Sequence, residues 1–201
     1  MDRKDELCAK ALDYCLAHGL SDLSLRPLAL EIGTSARLLI YHFGSRDGLI
    51  SAVMDEAHRR VQKSFGDLMR SGGNRDLLGK FWHWTTAPDN SPYVRLLFEL
   101  QMLALQRPAA YARYLKGTSS SWLALIETAL PPSADRRARA TLCAAVIDGL
   151  LLEFLSTGDL RRTSSALDVF GSMLSARTRS VGRARASARN GRLKGRQQSH
   201  E

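Results

Sequence analysis

The sequence predicts an all-α chain, with a three-helix head carrying a helix-turn-helix and a larger helical body behind it. Three observations lead there. Apolar residues recur at three- and four-residue spacings along most of the chain, and no stretch alternates with the period of two that a strand requires. Glycine, proline and serine clusters interrupt that pattern about once per helix length. Residues 24–49, SLRPLALEIGTSARLLIYHFGSRDGL, compress two short helices, a tight turn and the start of another helix into 26 residues.

Residues 3–18 form the first helix, with Leu7, Ala11, Leu12, Cys15 and Leu16 on one face and His18-Gly19 as its stop. Ser24 is the expected cap of the second, its hydroxyl accepting from a helix-start N–H. Pro27 falls in the first turn, where a missing N–H is tolerated. Leu28, Ala29 and Ile32 give that helix its apolar face, and Gly33 ends it. Ser35 caps a third helix over about Ala36–His42, too short to stand alone, so it must dock on its neighbours. Phe43-Gly44 closes it, and Ser45 caps a long fourth helix from Arg46 to about Met69, which Ser71-Gly72-Gly73-Asn74 breaks. The body then reads as helices over 75–87, 92–106, 109–130, 134–157 and 163–177. Pro108 is read as the start of the third of these, Pro131-Pro132 as its end, and Thr157-Gly158-Asp159 as the split between the last two. The helix over 92–106 is apolar on two sides and is expected at the centre of the body. A short second helix after a tight turn is the arrangement that enters the major groove of DNA.

The same segment resembles the DNA-binding domain of the TetR family of transcriptional regulators. The shared wording falls on Ser24, Leu25, Arg26, Ala29, Gly33, Ser35, Leu39, His42, Phe43, Ser45 and Leu49, with Arg46 in place of the family's usual Lys. Arg37, Leu38 and Ile40 stand where the family commonly has Gly, Thr and Tyr. The resemblance implies a ligand-responsive regulator, more often a repressor, that binds a palindromic operator in double-stranded DNA as a homodimer. Arg37 and Ser35, at the start of the third helix, would then face base edges, and Tyr41 and His42, at its end, stand at positions that in the family often touch phosphates. Ser24, Arg26, Thr34 and Arg46 would meet phosphates through hydroxyls, charge and helix-start N–H groups. A helical protein-interaction module whose head no longer binds DNA is the competing reading, kept open by Arg37, Leu38 and Ile40.

Charge alone does not make the DNA argument. The chain carries a formal +9, but residues 177–201 hold eight Lys/Arg against one Glu, while residues 1–60 hold eight Lys/Arg against nine Asp/Glu. The head therefore relies on where its cations sit. The segment 177–201 lacks core-forming residues and is expected to be a disordered basic tail. The expected divisions are 1–48 for the DNA-binding head, 49–176 for the helical ligand-binding and dimerisation body, and 177–201 for the tail. No run of about 20 uninterrupted apolar residues is seen, and the charged N-terminus has no signal core, so a cytoplasmic protein without a membrane partner is expected. Cys8, Cys15 and Cys143 have no metal spacing and read as small core residues. There is no G-x-S-x-G, no H-E-x-x-H and no glycine-rich phosphate loop, so neither an enzyme nor a cofactor or metal site is expected.

In the body, three tryptophans fall within residues 82–122 among other aromatics and scattered polar groups. Trp82, Trp84, Phe98, Gln101, Met102, Tyr114, Trp122 and Asp148 are the candidate lining of a pocket for an unidentified small-molecule effector. Residue by residue, packed core is the better explanation, and it is the group taken together that points to a pocket. Leu142, Ala145, Val146, Gly149, Leu152 and Leu155 or Ser156 form a seam on the helix of 134–157, and Leu167, Phe170, Met173 and Leu174 follow on the next. The resemblance implies that these two helices pair with a second copy as a four-helix bundle.

Overall fold

A computed structural model describes residues 2–20, 23–72 and 77–174. The described residues are helical, with turns between and no strand. The helices are α1 (Arg3–His18), α2 (Leu25–Glu31), α3 (Ala36–Phe43), α4 (Arg46–Gly72), α5 (Leu77–Thr86), α6 (Ser91–Gln106), α7 (Ala112–Ala129), α8 (Arg136–Thr157) and α9 (160–174). They divide into two compact units, one ending at Leu151 and the other beginning at Leu152. The basic segment 177–201 lies outside the described residues.

The head forms as its sequence dictates, with one change at a cap. Ser35 Oγ accepts from the Leu38 N–H (3.1 Å), and Ser45 Oγ from the Gly48 N–H (2.9 Å). Ser24 holds the extended backbone of a cap, but its hydroxyl makes no such bond. Pro27 is the reason. It occupies the third helical position, whose N–H a capping serine would take, and proline has none. Gly33 takes a positive φ of 71°, which turns the chain sharply between α2 and α3 at no steric penalty. At the next junction a side chain on Gly48 would begin 2.0 Å from the Phe43 carbonyl oxygen, so α4 starts hard against the end of α3.

The core of the first unit runs without a break from the head into the body. Leu7, Leu12, Leu28, Leu39, Leu49, Ile50 and Val53 meet Leu96, Leu100 and Ala104 of α6 and the ring of Tyr111. As expected, α6 is central and packs against α1, α4, α5 and α7. Pro108 does not start a helix. Residues 108–111 form a turn closed by the Ala110 and Tyr111 N–H groups on the Arg107 carbonyl, and α7 begins at Ala112. The last helix begins at 160 instead of 163, because Asp159 caps it by accepting from the Arg162 N–H (3.0 Å).

α8 differs most from expectation. After its opening arginines it is apolar on most sides, and the most apolar 18-residue window of its 22 residues has a mean hydropathy of 1.6, long and apolar enough to cross a bilayer. The sequence reading found no such run, since Asp148 and Glu153 interrupt it. Ala140, Cys143, Ile147 and Leu151 are buried, whereas Leu142, Ala145, Gly149 and Leu152, on another face, are exposed. In the second unit Val169 and Met173 are exposed and Leu167 is buried.

Candidate functional site

The outer face of the head presents the expected DNA-reading groups unevenly. α3 buries Leu39 and turns Arg37, Ile40 and Tyr41 outward, with Tyr41 80% exposed. Ser24, Arg26 and Ser35 are exposed. Accepting from Leu38 uses a lone pair of the Ser35 hydroxyl and leaves its proton to donate outward. His42 is half-buried, its ring edge-on to Tyr41 at 5.2 Å. Phe43, which closes α3, packs against the head core with the Lys4 ammonium 5.7 Å from its ring centre.

Two of the expected phosphate groups are engaged or turned inward. Arg46 donates through Nε to the Leu23 carbonyl at 2.9 Å, so its guanidinium fastens the start of α4 to the chain ahead of α2. The Thr34 hydroxyl oxygen is enclosed, with no hydrogen-bond partner among the described residues. As placed, it does not reach out to a phosphate.

Behind the head, five helices enclose a cavity of about 370 Å³. Val61 comes from α4. Phe81, Trp84 and Thr85 share one face of α5, and Val94, Leu97, Phe98 and Gln101 one side of α6. Tyr114, Trp122, Leu123 and Ile126 come from α7, and Thr141, Ala144, Ile147, Asp148 and Leu151 from α8. Phe65 backs the aromatic wall, 5.0 Å from Phe81, 6.0 Å from Trp84 and 6.4 Å from Trp122, ring centre to ring centre. The Trp84 indole N–H donates to Ser64 Oγ at 3.1 Å, which fixes that ring at the rim.

Of the residues singled out from sequence, Trp84, Phe98, Gln101, Tyr114, Trp122 and Asp148 are in this lining. Trp82 and Met102 are not. Each residue advances a helix by about 100°. Trp82 therefore cannot share a face with Trp84, and it is buried away from the cavity. Met102 is turned away from its neighbour Gln101 and is 56% exposed. Phe81, Leu97, Ile126 and Ile147 were not singled out, because spacing marks a buried apolar face equally whether it meets another side chain or a void. Position three before Trp84 was the one signal for Phe81.

Among the described residues Asp148 is the single carboxylate in the lining, and no Lys, Arg or His accompanies it there. Its surface opens to water through the cavity, but the apolar walls around it push its carboxyl above the ordinary range. His58 lies edge-on to Trp122 at 6.0 Å, and burial lowers its pKa against an opposing pull from Asp55.

Polar contacts join the head to the helices that line the cavity. The Leu20 N–H at the end of α1 donates to Glu99 of α6 at 2.6 Å. Arg107, just past α6, grips Asp47 through both carboxylate oxygens at 2.6 and 2.7 Å, and the Tyr111 hydroxyl donates to the same carboxylate at 2.9 Å. Desolvation pulls the Asp47 pKa upward, but the Tyr111 and Arg107 hydrogen bonds outweigh it and hold the carboxyl below its ordinary value. Arg60 of α4 adds a bond to Asp13 of α1 at 2.9 Å.

Fold and site together define a helix-turn-helix head joined to a helical body that holds a ligand-sized cavity. Residues 9–53 match the family of bacterial regulatory proteins, tetR family. Among curated proteins none matches. A transcriptional regulator from Rhodococcus sp. Rha1 superposes with a TM-score of 0.73 at 20% identity, over 86% of this chain and 95% of that one. A multidrug binding protein, EbrR, solved with ethidium, gives 0.65 at 24% identity over 83% and 96% of the two chains. A regulator from Saccharomonospora viridis, solved with choline, gives 0.69 at 16% identity over 83% and 94%. At these identities the likeness is one of fold.

Proposed function

We propose that this chain is a ligand-responsive repressor that binds a palindromic operator as a homodimer, with the cavity as its effector site. The observation that carries the reading is the double engagement of α6. On one side it lines the cavity with Leu97, Phe98 and Gln101, and on the other it holds the head through Glu99. An occupant that displaces α6 therefore moves the groups that orient α1 and the α3–α4 junction. A ligand that prefers the displaced arrangement shifts the population away from the one that fits DNA. The fold relatives solved with ethidium and with choline support a small-molecule effector here.

The exposed face of α8 supports the dimer. Leu142, Ala145, Gly149 and Leu152 form an apolar stripe with two small residues in it, which lets a second helix approach closely. Two heads related by a two-fold axis would set their α3 helices about 34–36 Å apart, one turn of DNA.

The deciding experiment is a gel shift of the full-length protein on the DNA flanking its own gene, with scrambled DNA as competitor. A shift that survives the competitor supports the reading, and equal competition by scrambled DNA sinks it. Arg37→Ala should lose about 1–3 kcal/mol of operator affinity and relax one position per half-site if Arg37 reads a base. A uniform loss on every sequence would make Arg37 a phosphate contact instead.

A further inference from the structure

We propose that the cavity selects a lipophilic organic cation, with the Asp148 carboxylate as its counter-charge and the aromatic wall as its apolar envelope. This rests on the effector reading above and narrows it to one chemical class. The lining is apolar and aromatic apart from a few polar groups, and among the described residues Asp148 is its single charge. Thr85 and Thr141 spend their hydroxyl protons on carbonyls of their own helices, those of Phe81 (2.9 Å) and Arg137 (3.0 Å), so toward the cavity they offer acceptors only.

Other carboxylates of the first unit contrast with Asp148. Asp13, Asp47, Asp55 and Glu56 each hold an arginine, and Glu99 accepts a backbone N–H. Asp148 has no hydrogen-bond or ionic partner among the described residues, and its environment does nothing but desolvate it. Asp148 keeps an exposed surface, but its carboxylate, unpaired and partly desolvated by apolar neighbours, gains from a positive charge brought beside it. An anionic occupant meets the repulsion of Asp148, and the described lining holds no Lys, Arg or His to offset it. A neutral one desolvates the carboxylate further. A monocation relieves that cost and also meets the faces of Phe81, Trp84 and Trp122, to which cations are attracted. A volume of about 370 Å³ admits a cation carrying aromatic or branched substituents.

The test is titration calorimetry of the full-length protein with tetraphenylphosphonium and tetraphenylborate, which share a shape and differ in the sign of charge. The phosphonium should bind at least about tenfold more tightly than the borate, and Asp148→Asn should remove most of that preference. Asp148→Glu, which keeps the charge, should retain it. Equal binding of the two ions, no phosphonium binding at millimolar concentration, or an unchanged preference in Asp148→Asn would each overturn the proposal. The comparison of the two ions on the unaltered protein stands even if a variant fails to fold. Repeating the titration with operator DNA present separates this proposal from the reading it rests on. Asp148-dependent phosphonium binding that leaves DNA affinity unchanged keeps the cation site and removes its regulatory role. Release of DNA by neutral or anionic compounds, with Asp148→Asn silent, does the reverse.

Discussion

At the scale of single residues, Asp148 concentrates the chemistry of the body. Because its folded pKa is raised, the native protein holds a proton there over a pH range in which the unfolded chain has lost it. Stability therefore falls as pH rises from the ordinary value of 3.8 through the raised one, and the loss is complete above it. Asp148→Asn has nothing to ionise. In the absence of ligand its melting temperature should exceed that of the parent at neutral pH, and the two should converge in scans below the ordinary value. A constant difference at every pH would mean that packing, not charge, separates them. The sequence brought Asp148 to notice as an acid in an apolar helix, and helical spacing separated Trp84 from Trp82 once α5 was placed. The Arg107–Asp47–Tyr111 contact was invisible. Its partners lie 60 and 64 residues apart, and no local pattern links them.

At the scale of elements, α1 to α4 were legible because each boundary has a local chemical cause: Ser35 and Ser45 as caps, Gly33 as a turn. The errors had local causes too. Pro27 removes the N–H that Ser24 would have capped, and Asp159 caps α9 three residues ahead of the expected start. The two faces of α8 were less legible, because a helix apolar on most sides does not show which side meets its own chain. The exposed stripe of α8 is where assembly can be broken without touching the cavity, since Leu142 is not in the lining. Leu142→Glu should yield monomers in sedimentation velocity while far-ultraviolet circular dichroism stays that of the parent. A variant that sediments like the parent would put the two-fold contact elsewhere.

At the scale of the whole molecule, the net charge and the proposed DNA-reading head lie in different segments. The first 60 residues are close to neutral in sum, so the head contributes placement, while the segment 177–201 contributes most of the +9. Each phosphate neutralised steepens the fall of log affinity with log salt by roughly 0.9. Removing residues 177–201 should therefore flatten that dependence and leave the preferred operator sequence unchanged. An unaltered slope would show that those cations stay off the DNA. Changed sequence preference would show that they take part in reading it.

The cavity also has an optical consequence. Two of the three indoles in the chain, Trp84 and Trp122, stand in its wall, and the third, Trp82, is buried outside it. An occupant therefore sits against most of the protein's native fluorophores. Emission should dim or shift colour on filling, with Trp82 supplying a steady background, so occupancy can be followed without a label while DNA is bound or released.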